Sequence, residues 1–359
     1  MAGTPTFATP PGFLGITRQD PGAGVCIAGV PLDIGTTNRA GTRDGPAAIR
    51  RASRMLVDGV HPQHWTDPRS LDIADLGDFA IALGDIPASL ALIERQAAAC
   101  AHLVTFGGEH LVTLPLLRAL ARRLGGPVGL LHMDAHVDTW ETNLGQSLAH
   151  GSVFFHAIRE GIVDPKRMIQ IGIRSPVDRE TWDWTLAQGV TVVTAQEAHE
   201  TTPAALADRV RGVLGAAPCY LSFDIDALDP AFAPGTGTPE VGGLASWQAQ
   251  ALLRRLGGLE WRGMDLVEVS RRMTMPRSPR WPAPPWPGNT WPCWPGPDGA
   301  PPASFRQSAT GSGGHARGSA EPPQKTWQSR PGGTISPAAL PVRGGADAIA
   351  RAASPKPVQ

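Results

Sequence analysis

Three short segments of this 359-residue chain carry side chains of the kind that hold divalent cations: Phe106-Gly107-Gly108-Glu109-His110, Asp134-Ala135-His136-Val137-Asp138 and Asp224-Ile225-Asp226. In an extended backbone, residues i, i+2 and i+4 project to one side, so Asp134, His136 and Asp138 are expected to converge, as are Asp224 and Asp226. With His110 they make four carboxylates and two imidazoles. That is a hard, oxygen-rich set, which favours manganese over zinc or copper although the affinity order alone prefers the later metals. Two divalent ions would share ligands, and Asp134 and Asp224 are the best bridges, because a carboxylate has two oxygens and four negative charges would offset four positive ones. A single Asp or His after a strand is ordinarily a cap or a solvated loop residue; the conjunction of three such clusters carries the reading.

Positioning these residues requires strands that end just before them. Short apolar or β-branched runs at residues 24–30, 103–106, 128–133, 168–173, 190–193, 219–223 and 263–269 predict strands, with helical patterns such as 86–102, 111–124 and 246–256 between them. The alternation predicts an open α/β sandwich with a parallel sheet. Ligands on such sheets gather beyond the carboxyl ends of the strands, where all three clusters fall.

Net charge is zero and 42% of the residues are hydrophobic, as suits a globular chain large enough for a sizeable core. No broad basic surface is expected, which argues against nucleic acid or an anionic membrane as partner and for a small molecule. No run of eighteen apolar residues is present, and MAGTPTFATPPGF lacks the pattern of a secretory signal, so a cytoplasmic location is expected. Cys26, Cys100, Cys219 and Cys293 are scattered, without CxxC spacing, and read as reduced thiols.

The sequence divides into an N-terminal extension (1–23), a catalytic domain (24–270) and a tail (271–359). The last 89 residues hold 18 of the 36 prolines and five of the eleven tryptophans, in stretches such as RWPAPPWPGNTWPCWPGP, which predicts a disordered tail. Codons chosen for residues 271–292 and regrouped with one extra base in front can be read as PPYDHAEITALAGATLAWEYLA, an amphipathic helix after a turn. A lost base near codon 270 is one origin for the tail, and sequencing the source DNA tests it.

The segments FGGEH, HMDAHVD, AHG, SFDIDALDPAFAPGTGTPEVGG and GMDLVEVS resemble, in order, the signature segments of the ureohydrolases, the arginase and agmatinase group; GVPLDIGTTNRAGTRDGPAAIR resembles the agmatinase branch. The resemblance covers roughly residues 24 to 270. It implies a three-layer α/β/α sandwich around an eight-stranded, mainly parallel sheet, two Mn2+ per subunit and a homo-oligomer. It also implies that His110, Asp134, Asp138 and Asp224 hold one ion and Asp134, His136, Asp224 and Asp226 the other. Glu268 would receive the guanidinium, His150 shuttle protons, Asp138 relay one to the leaving amine, and Thr238 line the site. The implied reaction is hydrolysis of agmatine to putrescine and urea, with guanidinobutyrate as the nearest competing substrate. Arginine ranks lower, since Thr139-Trp140-Glu141-Thr142-Asn143 lacks the polar pattern of arginases. Two departures stand out: GGEH where the family more often has GGDH, and the loss after Ser270 of the Pro-Pro-Tyr-Asp turn and final helix. The second keeps open an unstable or inactive metal-binding chain with an uncovered flank beside Glu268, and, further off, a Pro/Trp-rich interaction module.

Overall fold

The computed structural model describes residues 12–56, 60, 61, 65 and 67–270. The expectations about the tail and the shifted reading frame lie outside the described residues, as do residues 1–11 of the N-terminal extension.

Eight strands form one sheet: β1 (Val25–Val30), β2 (Ile73–Asp78), β3 (Leu103–Gly107), β4 (Val128–Met133), β5 (Val163–Ile173), β6 (Thr191–Thr194), β7 (Cys219–Asp224) and β8 (Trp261–Val267). Their order is β2-β1-β3-β8-β7-β4-β5-β6, and every pairing is parallel. The helices are α1 (Gly45–Ser53), α2 (Ile86–Ala97), α3 (Thr113–Leu124), α4 (Val153–Arg159), α5 (Arg179–Ala187), α6 (Ala195–Glu200), α7 (Pro203–Leu214) and α8 (Ser246–Leu253).

The pleat sorts the strand side chains into two cores, because successive residues point to opposite faces. Ile27, Val104, Phe106, Leu131 and Met133 pack with Ile49 of α1, Leu206 and Val210 of α7, and Leu252 of α8. Cys26, Ala28, Val30, Leu103, Val128 and Leu130 pack on the other face with Ile93 of α2, Leu117 of α3 and Phe154 of α4. This is the expected three-layer sandwich. It also explains why β4 and β7 are buried at every position and read as continuous apolar runs rather than alternating ones.

Several expected boundaries move, each for a local reason. β2 was not expected: as an edge strand it needs little apolar character, and its Asp75 instead receives the buried guanidinium of Arg50 at 2.9 Å. α2 starts where expected, with Asp85 accepting from Ala88 N at 2.9 Å and Pro87 in the first turn, but stops at Ala97 rather than 102 to leave chain for the approach to β3. The segment after β3 opens as a 3-10 turn, His110–Val112, before α3, which Gly125 ends in a left-handed conformation (φ 73°). α8 stops at Leu253. β8 ends at Val267 instead of 269, because Glu268 adopts φ 61° and leaves the ladder.

Glu268, Val269 and Ser270 are all buried; Glu268 N donates to Gly108 O at 2.9 Å and Ser270 N to Gly235 O at 2.8 Å. No helix among the described residues is long and apolar enough to cross a membrane.

Candidate metal centre and active site

The carboxyl ends of β3, β8, β7 and β4, four neighbours in the sheet, supply the site. His110 follows β3, Glu268 follows β8, Asp224 ends β7 and Asp134 follows β4. All four are at most 2% exposed. His110 Nδ1 lies 3.1 Å from Asp134 Oδ2, 2.9 Å from Asp138 Oδ2 and 3.3 Å from Asp224 Oδ2. His136 Nδ1 lies 3.2 Å from both Asp134 Oδ1 and Asp226 Oδ2. The two groups meet at Asp134, which turns one oxygen to each.

The six residues expected to converge do so, but not by the pleat. Residues after Met133 are irregular, and Asp138 has φ 50°, a left-handed conformation costing of order 1–2 kcal/mol for a non-glycine residue. Asp226 sits in a 3-10 turn, Ile225–Ala227, whose N-cap is Asp224, with Asp224 Oδ1 accepting from Asp226 N at 2.8 Å. Turns, not extended backbone, bring i and i+2 together.

Two observations show that the donor set suits cations. His110 Nδ1 is buried without a hydrogen-bond partner, facing three carboxylate oxygens. The separations near 3 Å also match the edge of an octahedral shell, where ligands about 2.1 Å from an ion stand about 3.0 Å apart. The electrostatics agree. Burial, then the charges of Asp226 and Asp134, push Asp224 well above the ordinary carboxylate range. Burial works against protonation of His136, but the charge and hydrogen bonds of Asp226 and Asp134 prevail and raise it to about 12. Protons and cations therefore compete for this site.

His110 is held from behind. Its Nε2 is 2.8 Å from Ser222 Oγ, which donates to Asp265 Oδ1 at 2.7 Å; Asp265 Oδ2 also accepts from Thr113 Oγ1 (2.8 Å) and Tyr220 OH (2.9 Å). This chain aims Nδ1 at the cluster, as orienting partners of metal-bound imidazoles do. The sequence reading did not anticipate Ser222, Asp265 or His132, whose Nε2 is 2.7 Å from Asp134 Oδ2. It had a usable signal, since His132 and Ser222 stand two residues before Asp134 and Asp224 on the same face of their strands.

Glu268 joins the cluster to His150. Its Oε1 accepts from His110 N (3.0 Å) and faces His150 Nδ1 (3.2 Å), while its Oε2 is buried and unpartnered. Gly237 leaves room there: a Cβ on it would stand 3.5 Å from Glu268 Oε2. Thr238 Oγ1 donates to Asp226 Oδ2 at 3.2 Å. On the outer side His150 Nε2 meets Thr37 Oγ1 at 2.8 Å and Thr37 N at 3.3 Å. Burial would lower the His150 pKa, yet the hydrogen bond and charge of Glu268 outweigh it and raise it to about 9.

The departure at Glu109 has a local explanation. Its longer side chain spans to the 35–38 loop, where Oε1 accepts from Gly35 N at 2.6 Å. Burial, then the charge of Glu268, push it up to about 7. Asn38 Nδ2 donates to Gly237 O at 3.1 Å, so the same loop ties together the Glu109, His150 and Gly237 sides of the site.

A parallel α/β/α sandwich with a carboxylate–imidazole cation site at the carboxyl ends of its central strands defines a class of hydrolytic enzymes, and comparison with known proteins agrees. The arginase family model matches residues 23–275. A mitochondrial guanidino acid hydrolase of Homo sapiens is 45% identical over 264 residues, covering 72% of this chain and 74% of the relative. A guanidinopropionase of Pseudomonas aeruginosa is 45% identical over 277 residues (75% and 85%), and an agmatinase of Proteus mirabilis 44% over 250 residues (68% and 78%). The crystal structure of a hypothetical agmatinase from Burkholderia thailandensis superimposes with a TM-score of 0.69 at 38% identity, covering 79% of this chain and 89% of that one. The chain belongs to the arginase family and is a hydrolase of the ureohydrolase type.

Proposed function

We propose that this chain hydrolyses the guanidino C–N bond of a linear guanidino compound, releasing urea and a primary amine, with two Mn2+ ions as cofactors and agmatine as first candidate substrate. The observation that carries this reading is Glu268 Oε2, a buried and unpaired carboxylate oxygen tied through His110 N to the cation site. A guanidinium offers the paired N–H donors that such an oxygen accepts through charge-assisted hydrogen bonds. His110, Asp134, Asp138 and Asp224 would hold one ion and Asp134, His136, Asp224 and Asp226 the other; bound there, the pair would make a strong water nucleophile at neutral pH and offset the carboxylate charges. Glu268 fixes the guanidino carbon in front of that nucleophile. Asp138 carries the proton from the attacking water to the departing amine nitrogen. Thr238, hydrogen-bonded to Asp226, lines the site, and His150 exchanges protons with solvent on the Thr37 side.

A second reading, a guanidino acid as substrate, is favoured by the names of two relatives at 45% identity, guanidino acid hydrolase and guanidinopropionase. The two differ at the far end, where agmatine's ammonium calls for an anion or carbonyls and a carboxylate calls for a cation. A panel of agmatine, guanidinobutyrate, guanidinopropionate and arginine with Mn2+ and a urea readout separates them. Urea is expected fastest from agmatine. A guanidino acid turned over faster moves the assignment to the second reading, and no urea from any member sinks both. A homo-oligomeric assembly and a cytoplasmic location fit this reading, although the human relative is described as mitochondrial.

His150→Asn should lower turnover about 10²-fold, in line with loss of one proton-transfer group, while leaving Mn2+ content unchanged. Because the imidazole is protonated well above neutrality in the presence of Glu268, the variant should also lose the high-pH limb of the rate profile. An unaltered profile removes His150 from the proton path.

A further inference from the structure

Gln170 of β5 stands beside His132 of β4 in the parallel register, and both are fully buried. Its Nε2 lies 2.6 Å from Val137 O and 3.1 Å from His132 Nδ1. These contacts leave one assignment of donors. A carbonyl oxygen only accepts, so the amide nitrogen and not the amide oxygen must face Val137, and its second hydrogen points to His132 Nδ1. Nδ1 is then an acceptor, and the imidazole carries its proton on Nε2, 2.7 Å from Asp134 Oδ2. Through Nε2, His132 donates to the carboxylate that the two cation groups share. Its ring is held against Phe154, at a centroid distance of 4.3 Å, and His110, at 5.1 Å.

The other hydrogen of the same amide acts on Asp138. The Val137 carbonyl belongs to the peptide that leads into Asp138, whose φ of 50° is uncommon outside glycine, although Asp tolerates it better than most residues. A hydrogen bond on that carbonyl holds the peptide plane, and with it the direction in which the Asp138 carboxylate leaves the chain. Gln170 Oε1 remains buried without a hydrogen-bond partner, so the side chain is not placed to satisfy its own polar atoms. An apolar residue of similar size would fill this position without burying an unpaired oxygen.

We infer that Gln170 is a positioning residue whose single amide nitrogen aims two cation-binding carboxylates, Asp134 through His132 and Asp138 through the Val137 carbonyl. The inference rests on the metal-centre reading above. It is tested on the full chain by titrating Mn2+ into metal-stripped protein, following free Mn2+ by electron paramagnetic resonance, and by melting the metal-stripped forms. Gln170→Leu should bind Mn2+ about 10- to 100-fold more weakly, the range seen when partners of metal ligands are removed, while its metal-stripped form melts no lower than the parent. His132→Phe should lose affinity similarly, and His132→Gln, which keeps an N–H donor toward Asp134, should recover much of it. Affinity within twofold of the parent in Gln170→Leu overturns the inference. So does a lowered melting temperature in that variant combined with His132→Gln binding no better than His132→Phe, the pattern of a purely structural role. If the parent chain takes up no Mn2+, the metal-centre reading falls and this inference with it, an outcome distinct from parent uptake that Gln170→Leu leaves unchanged.

Discussion

Asp226→Ala should bind one Mn2+ fewer per chain and turn over its guanidino substrate roughly 10⁴-fold more slowly, since a metal site that brings the pKa of water from 15.7 to about 7 supplies most of the nucleophile at neutral pH. The size of the effect follows from how much converges on this side chain. Its Oδ2 stands 3.2 Å from His136 Nδ1 and accepts from Thr238 Oγ1 at 3.2 Å, and its Oδ1 accepts from Ala135 N at 3.0 Å. The loss should fall first on cation binding. Burial, then the charge of Asp134, push the Asp226 pKa above the ordinary carboxylate range, against the opposing charge of His136. Truncation also leaves Ala135 N and Thr238 Oγ1 without their acceptor and His136 without a counter-charge, so the metal-stripped variant should melt below the parent. The parent, by contrast, should gain about 2.7 kcal/mol from Mn2+ at a hundredfold excess over Kd, or roughly 5–11 °C in Tm for a domain of this size. The variant should show a smaller shift. Melting curves with and without Mn2+, metal analysis and urea release decide it together: a variant that keeps both ions and the full rate refutes the dinuclear assignment.

The six ligand-type side chains were readable because their types are costly to bury unless they are used, and because each follows an apolar run that could only be a buried strand. The geometric reason attached to them was nonetheless incomplete. Alternation within a strand accounts for His132 with Asp134 and for Ser222 with Asp224, yet the chain leaves the extended conformation at Met133 and Asp224, and it is turns that bring in His136, Asp138 and Asp226. Backbone conformations disfavoured for non-glycine residues, such as those of Asp138 and Glu268, have no local signature, since the surrounding fold and not the residue's preference imposes them. The partners behind the ligands were hidden for a different reason. Gln170 and Asp265 lie on strands far away in sequence, and only strand order and register set Gln170 beside His132 and Asp265 beside Ser222. β2 was missed because its Asp75 looks out of place in a strand until Arg50 of α1 is seen beside it. At Glu109, where the sequence departs from the family's more usual Asp, the role of the side chain becomes visible only once the 35–38 loop is seen beside it.

Glu268→Gln isolates the group that distinguishes a guanidino hydrolase from any other user of the same cation site. The substitution is nearly isosteric, and the amide oxygen can still accept from His110 N and face His150, as Oε1 does at 3.0 and 3.2 Å. What changes is the free oxygen: an NH2 group replaces Oε2 and presents donors to the donors of a guanidinium. Losing one side of a buried, charge-assisted pair costs about 2–5 kcal/mol, so kcat/KM should drop roughly 30- to 5,000-fold. Because Glu268 is not expected among the cation ligands, Mn2+ content should stay at the parental value, which separates this variant from Asp226→Ala. A second consequence concerns His150. Burial lowers its pKa and Glu268 raises it to about 9, so the pair stabilises the fold fully below the ordinary histidine pKa and progressively less as pH climbs through 9. Without the carboxylate's charge the burial effect should prevail, and His150 should titrate well below 9. Imidazole titration by NMR reads that shift without reference to turnover. If kcat/KM stays within threefold of the parent while the His150 titration moves as expected, Glu268 sets the charge of His150 but does not hold the substrate, and the guanidinium-binding role passes to another residue.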